Sequence, residues 1–541
     1  MEPSLLPKTS FLAQRALFKA YDIRGNAALF TPDFVKALGL AFAQDLAETA
    51  QARQVVIGYD VRHGSKSIAE QFVQSLCERG IEVIWLGLVT TPIMAFWANR
   101  YQGHGLIVTA SHSEGHILGI KWLISGESPS YERIQMLYQR LISQQPADAS
   151  TATSTNPAAT PKVIAPNQVG HTYANSAAIA LDNIRKFRSL ALVQHSLSQK
   201  TPDRLKVVID SLNGATGPYV AAFFEPHQRL CDIILINKTP DGDFPKGNPD
   251  PMEDKRLTEL SQAVIEHQAD LGLAFDGDGD RLMVVDNQGH CLAPDHLLYL
   301  LARVSIEDHQ PVEACLNAPA PIVLFDVKCT HHMPRLITAL GAVPQMSKTG
   351  SSILRRTLQT KQDNNPDHAP ILFAGELSGH FLFNDGYFLL HDDAMYAALR
   401  LLNWLQYQAQ HAKPAQLTDI LKTLPPMVST PDVYLPLDAY EASPLQQNTP
   451  LLNKLMALCD KLSQSIELPK GAQLTCIDGL RLDFAHGFGI IRPSNTSNSL
   501  TVRFAGDSLS DLKSVQGYFV KLCHFINDDL AKQVANIQIK S

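Results

Sequence analysis

At 541 residues, with 45% hydrophobic and 18% charged side chains, the chain has the composition of an ordinary soluble globular protein but is too long for one core; a prior of about 150 residues per domain gives three to four domains. A net charge of -7 leaves no global basic field for nucleic acid or a membrane surface, so an anionic ligand would need a local cluster of Arg and Lys. The eight cysteines (Cys77, Cys231, Cys291, Cys315, Cys329, Cys459, Cys476 and Cys523) are scattered without a CxxC pair, which argues for buried thiols in a reducing cytoplasm and against disulfides or zinc.

Residues 1–19 lack both a long apolar run and a small-residue cleavage site, so no signal peptide is expected. No segment approaches ~20 uninterrupted apolar residues, the length of a membrane span. The run 18–25 (Phe-Lys-Ala-Tyr-Asp-Ile-Arg-Gly) is an aromatic and charged cluster in which Arg24 could pair bidentately with phosphate, or bridge to a surface acid. An apolar, β-rich run at 55–59 leads to a helical pattern at 68–79, stopped by Gly80, and to a second strand at 81–86. The strand 105–108 then delivers Thr109-Ala110-Ser111-His112-Ser113. A serine at a strand end can present its hydroxyl at the ligand-binding edge of a sheet, or simply cap the next element. Gly119-Ile120-Lys121 follows closely, offering an acid/base or phosphate contact if Lys121 is not merely solvated.

Residues 144–162 are rich in Ala, Ser, Thr and Pro, cannot bury a core, and predict a linker or surface loop. A smaller polar loop is expected at 361–369. The strand–helix–strand pattern recurs at 207–209, 219–224 and 233–236, and again at 322–325, 333–340 and 343–346. Three such units imply parallel or mixed sheets covered by helices. From about residue 433 the pattern changes to a helix at 451–466, strands near 474–477, 480–484 and 500–504, and a helix at 510–527, the plan of a small α+β domain.

Asp276-Gly277-Asp278-Gly279-Asp280-Arg281 is the most informative stretch. On extended backbone, acids at i, i+2 and i+4 face one way with neighbours ~7 Å apart. They repel by roughly 2 kcal/mol per pair at an effective dielectric of about 20. A hard divalent cation, Mg²⁺ above all, would relieve that repulsion. The plain alternative is a hairpin turn, since Asp-Gly between apolar runs is a strong turn signal. Gly375-Glu376-Leu377-Ser378-Gly379-His380 follows the apolar run 371–373, and its Glu376 and Ser378 could grip vicinal sugar hydroxyls from one face. Arg492-Pro493-Ser494-Asn495-Thr496-Ser497-Asn498 is dense in donors and could form an anion-binding nest or an Asn/Ser turn.

Five motifs in this order, AYDIRG, TASHS, DGDGDR, GELSGH and RPSNTSN, strongly resemble the α-D-phosphohexomutases, most closely their bacterial phosphomannomutase/phosphoglucomutase branch. The likeness spans residues 18–504 and includes 325–330 and Lys348-Thr349-Gly350. It implies three related α/β domains with mixed sheets plus a smaller C-terminal α+β domain around a central cleft. The expected divisions are 1–165 with the phosphoserine loop, 166–305 with the metal loop, 306–428 with the sugar loop and 429–541 with the phosphate-binding loop. By the resemblance Ser111 is the phosphoserine, and Asp276, Asp278 and Asp280 hold one Mg²⁺ per chain together with that serine. Arg24 and Lys121 form an acid/base and electrostatic pair, with His112 and Arg281 assisting. Glu376, Ser378 and His380 meet the sugar. Arg492, Ser494, Asn495 and Thr496 clamp the other phosphate, and Tyr21, Lys328, Lys348 and Gly350 complete the substrate contacts.

The implied activity is interconversion of hexose 1-phosphate and 6-phosphate through a phosphoserine enzyme and a hexose 1,6-bisphosphate, with glucose 1,6-bisphosphate or an equivalent as activator. Phosphoglucosamine mutase, a weakly active or non-catalytic sugar-phosphate binder, and a phosphohydrolase with an aspartate nucleophile are the alternatives. A cytoplasmic monomer or weak dimer is expected, without nucleic acid or membrane partners. The chain departs from the family at Ser113-Glu114 (usually Asn-Pro), Leu118 (usually Asn), Ser351 (often His in close relatives) and Ser497-Asn498. Glu114 is expected to add negative charge beside the phosphoserine and slow turnover.

Overall fold

The computed structural model describes residues 11–50, 52–143, 159–191, 204–309, 319–364, 369–411, 413, 416–436, 450–464, 468–469, 471–494 and 499–538. Most of the 144–162 stretch and residues 365–368 of the 361–369 stretch lie outside them. The described residues fall into two compact units, one drawn from 1–180, 204–285 and 393–398, the other from 181–203, 286–392 and 399–541.

The first unit holds two sheets. Strands β1 (Ile23–Asn26), β2 (Gln54–Tyr59), β3 (Glu82–Leu88), β4 (Gly105–Val108), β5 (Ile117–Leu123) and β6 (Lys162–Val163) form one, in the order β1-β5-β4-β2-β3-β6. Strands β7 (Leu205–Asp210), β8 (Cys231–Ile236), β9 (Leu271–Phe275) and β10 (Leu282–Val285) form the other, in the order β10-β9-β7-β8. The second unit repeats the plan with β11 (Ile322–Asp326), β12 (Val343–Ser347), β13 (Ile371–Gly375) and β14 (Phe381–Phe383), ordered β12-β11-β13-β14.

These three sheets share one four-strand core. In each, the first strand pairs in parallel with the second on one side and the third on the other. The fourth then pairs antiparallel with the third. Parallel strands covered by helices need apolar side chains on both faces, which is why β4, β9 and β13 are buried at every position. The connection from third to fourth strand is a tight reversal at a strand end. In the three sheets it carries, in turn, residues 109–116, 276–281 and 376–380. Shared topology thus appears where no close sequence repeat was visible.

The last sheet is antiparallel. Strands β15 (Val428–Ser429), β16 (Val433–Pro436), β17 (Gln473–Thr475), β18 (Leu480–Phe484), β19 (Gly487–Pro493) and β20 (Ser499–Gly506) run in the order β15-β20-β19-β18-β17, with β16 also on β20. Helices Pro450–Gln464 and Leu509–His524 cover its apolar face around Leu482, Val502, Phe504 and Phe519. Strand β19 is absent from the sequence-based expectation, and Arg492 stands on it, paired with Thr501, instead of in a loop. The run 487–491 (Gly-Phe-Gly-Ile-Ile) is buried on both sides, so it lacks the polar alternation that marks a half-exposed strand.

Candidate active site

Ser111 lies in the reversal after β4 and is 2% exposed. Its φ of 54° puts a non-glycine residue in the left-handed region, at a cost of roughly 1–2 kcal/mol. Several bonds hold it there. Its N–H donates to Thr109 Oγ1 at 3.0 Å, and its carbonyl accepts from Arg62 Nη2 at 2.7 Å. Arg62 also donates to the carbonyls of Ser113, Glu114 and Ile117 at 2.6, 2.6 and 3.3 Å, and its own charge rests on Asp60 at 3.1 Å. One buried guanidinium therefore fixes the whole turn.

The acidic loop meets this serine within the same unit. Ser111 Oγ donates to Asp276 Oδ2 at 2.7 Å and lies 3.2 Å from His112 Nδ1. The loop closes a hairpin, since Phe275 pairs with Leu282. The turn alternative is thus realised: the loop reverses the chain instead of running on as extended backbone. One oxygen from each of Asp276, Asp278 and Asp280 lies within 4.8 Å of the others, because Gly279, at φ 77°, folds the backbone back. Gly277 is needed for a different reason: a Cβ there would sit 2.4 Å from the Ser111 carbonyl.

All three acids are buried. Lys121 Nζ donates to Asp278 Oδ2 at 2.8 Å and to Asp280 Oδ2 at 2.7 Å. Burial works to strip this ammonium of its charge, but the two carboxylates outweigh it and raise its pKa. Burial likewise opposes ionisation of Asp278, yet Lys121 holds that carboxyl below its ordinary range. Asp276 is pushed well above it by burial and by the charges of Asp280 and Asp278. Asp278 Oδ1 is buried without a hydrogen-bond partner. An all-oxygen set with an unused buried oxygen and a strained charge balance fits a hard divalent cation. Arg281 contributes its N–H to Asp276 Oδ1 at 3.1 Å, and its guanidinium stands 3.9 Å from Asp250.

Arg24 pairs with Asp22 at 2.5 Å and donates to Ser113 Oγ at 3.2 Å. The departure at Ser113 thus supplies an acceptor for Arg24. Glu114 is the second departure in this turn. Its side chain is 62% exposed and sits 3.3 Å from His116, so its charge is screened by water.

In the second unit, residues 376–380 close the β13–β14 hairpin, with Gly379 at φ 93°. Glu376 is buried, and Ser378 Oγ is buried without a hydrogen-bond partner. His380 Nδ1 stands 2.9 Å from Asp392. Lys328 is buried and bonds Asp432 at 2.7 Å; burial opposes its charge, but Asp432, Asp326 and Glu376 raise its pKa. Arg492 Nε donates to Asp478 Oδ2 at 2.8 Å, and the same oxygen accepts from Thr349 N at 3.2 Å. That carboxylate joins Arg492 to the Lys348-Thr349-Gly350 segment. Ser494 is buried, its N–H on the Ser499 carbonyl at 2.9 Å, and Lys348 is exposed. Tyr21 is half-buried beside Asp22. Asn495, Thr496, Ser497 and Asn498 lie outside the described residues.

Sequence reasoning missed Arg62, Asp60, Thr91, Asp432 and Asp478. Thr91 donates to Asp278 twice, from N–H to carbonyl at 2.9 Å and from Oγ1 to Oδ2 at 2.5 Å. Its signal was Thr90-Thr91-Pro92: Thr90 caps the helix Thr91–Arg100 by accepting from Ile93 N at 3.2 Å, with proline in the first turn. Asp60-Val61-Arg62 at the end of β2 offered a similar hint.

Models of phosphoglucomutase/phosphomannomutase α/β/α domains I, II and III match residues 15–146, 184–289 and 293–425. A phosphomannomutase/phosphoglucomutase of Pseudomonas syringae pv. tomato is 31% identical over 511 residues, covering 93% of this chain and 94% of that protein. A phosphoglucomutase of Neisseria meningitidis serogroup A is 30% identical over 512 residues, covering 93% and 96%. Among solved structures, a phosphoglucomutase/phosphomannomutase family protein from Burkholderia thailandensis superposes with a TM-score of 0.74 at 27% identity, covering 97% of this chain and 99% of that one.

Proposed function

The chain belongs to the phosphoglucomutase/phosphomannomutase family of α-D-phosphohexomutases, which are isomerases, and from that premise we propose that it interconverts hexose 1-phosphates and 6-phosphates through a phosphoserine at Ser111. The observation that carries this is the contact of Ser111 Oγ with Asp276 beside two further buried acids. Phosphoryl transfer needs positioning and charge neutralisation above all, and these residues supply both.

In this reading Asp276, Asp278 and Asp280 hold one Mg²⁺ together with the serine. When bound, the ion neutralises phosphate charge at Ser111. Lys121 and Arg24 are the acid/base and electrostatic pair at the reacting sugar hydroxyl, with His112 and Arg281 assisting. Thr91 and Arg62 fix the acids and the serine turn in place. Glu376 and Ser378 bind sugar hydroxyls beside His380, and the partnerless Ser378 oxygen supports that role. Arg492, Ser494, Asn495 and Thr496 hold the phosphate that is not transferred, while Tyr21, Lys328, Lys348 and Gly350 complete the contacts.

The cycle is balanced. The serine O–P bond breaks as a sugar O–P bond forms, the 1,6-bisphosphate turns over, and its other phosphoryl returns to Ser111. Glucose 1,6-bisphosphate or an equivalent is the proposed activator, and hexose phosphates are the only proposed partners. The proposed state is a cytoplasmic monomer or weak dimer. No helix among the described residues is long and apolar enough to cross a membrane. The proposed division along the chain, 1–165, 166–305, 306–428 and 429–541, keeps each of the three strand-end loops with its own sheet.

A coupled assay on mannose, glucose and glucosamine 1-phosphates, with glucose 1,6-bisphosphate present, tests the proposal. Turnover of mannose or glucose phosphate supports it, and preference for glucosamine phosphate redirects it to the phosphoglucosamine branch. Binding without turnover makes the chain a sugar-phosphate binder, and release of inorganic phosphate makes it a hydrolase.

A further inference from the structure

The second unit contains a group of imidazoles that the proposed chemistry does not use. His331 and His332 follow the Lys328 turn, directly before the helix Met333–Ala339. His486 lies between β18 and β19, and Asp507 directly follows β20. His331 Nε2 and His332 Nε2 approach the same oxygen, Asp507 Oδ1, at 3.1 and 2.7 Å. His486 Nδ1 stands 3.0 Å from the other carboxylate oxygen. The two adjacent rings lie 3.9 Å apart at 38°.

His331 makes a hydrogen bond to Asp507 Oδ1, and His332 Nε2, on a side chain only 10% exposed, pairs with the same oxygen at 2.7 Å. Two imidazole nitrogens and a carboxylate oxygen, all within 4.8 Å of one another, make a donor set that a common cation can take. In a tetrahedral site with bonds of about 2.0–2.1 Å, neighbouring donor atoms lie about 3.4 Å apart. The observed 2.7 and 3.1 Å separations from Asp507 are shorter than that, so the donor set must open to admit an ion.

We propose that His331, His332 and Asp507, with His486 at the open rim, form a site for a borderline transition-metal ion of the Zn²⁺ class. Imidazole donors exclude Mg²⁺ as its natural occupant and set it apart from the all-oxygen loop at 276–280. His486 is 70% exposed, which gives an ion a route in from solvent. The ligands come from three separate segments, two of which flank the strands that pair at Arg492. A bound ion would therefore tie the Lys328 turn to the antiparallel sheet.

The test uses the full-length protein, freed of any affinity tag, with Mg²⁺ in large excess to hold the acidic loop. Co²⁺ or Zn²⁺ is titrated in. The expected result is one equivalent bound, intense visible ligand-field bands for Co²⁺, and a raised melting temperature. His332→Ala should weaken binding by at least about tenfold. His486→Ala, at an exposed position where a substitution costs little stability, should alter the Co²⁺ spectrum. Failure to bind one equivalent in the wild type, or unchanged binding and spectrum in both variants, would overturn the proposal.

Discussion

Ser111 Oγ and Asp276 Oδ2 lie 2.7 Å apart although 165 residues separate them in the chain. One sits at the end of β4 and the other at the end of β9, the equivalent strand of the next sheet. The proposed chemistry depends on that meeting of two strand-end reversals. Ser111→Ala should remove covalent phosphorylation and reduce mutase turnover to background, with the melting temperature little changed; substantial residual interconversion would show that the serine is not the phosphoryl carrier.

Gly277 sets how close the two loops come. A methyl group there would fall 2.4 Å from the Ser111 carbonyl and 2.9 Å from the Pro249 ring, neither the far end of a flexible side chain. Gly277→Ala should cost about 1–3 kcal/mol of stability and lower turnover at least tenfold. Chemical denaturation and steady-state kinetics on the same sample check this, and wild-type behaviour in both would contradict the close approach.

Arg62 donates to four carbonyls of the serine turn and balances buried Asp60. Arg62→Ala leaves a buried carboxylate without its partner and should destabilise by about 3–5 kcal/mol. Arg62→Lys keeps the charge but not the forked geometry. It should retain more stability than Arg62→Ala while still losing most turnover, because Ser111 at φ 54° is no longer held. Equal activity of Arg62→Lys and wild type would remove Arg62 from its positioning role.

Glu114 offers a contrast. Its carboxylate is exposed beside His116. Glu114→Gln should therefore change kcat by less than about threefold at ordinary ionic strength. A large gain in kcat would show that this charge does restrain the phosphoserine.

Asp326 gives the second unit a pH signature. Burial raises its carboxyl from the ordinary 3.8 to about 6, helped by Glu376 and opposed by Lys328. Between those values the folded state holds more protons than the unfolded chain, so this group's contribution to stability falls as pH rises from about 4 to about 6. The full effect is at most about 3 kcal/mol. Asp326→Asn should flatten the slope of melting temperature over that pH window, even though losing an acceptor for Leu377 N lowers stability throughout. An unchanged slope would contradict the raised pKa.

The α/β units, their helices and the site motifs were legible in the sequence because each rests on local pattern: apolar runs, glycine stops, acids at fixed spacing. What was illegible is long-range. The order of the strands in the three sheets lies in strand pairing, which periodicity does not encode. For the acidic loop the sequence left extended backbone and a hairpin turn both open, and the pairing of Phe275 with Leu282, with Gly279 at φ 77°, decides for the hairpin. Strand β19 was missed because it is buried on both faces. Arg62, Asp432 and Asp478 act through partners 49, 104 and 14 residues away, and no local pattern marks such pairs.

The central claim is that Ser111 carries the phosphoryl group in transit, and intact-protein mass measurement tests it most directly. After incubation with glucose 1,6-bisphosphate and Mg²⁺, the account predicts the mass of one added phosphoryl, mapped to Ser111, absent from Ser111→Ala, and discharged by added hexose phosphate. A phosphoryl mapped to Asp276, or no covalent phosphoryl in a protein that still turns over, would contradict it.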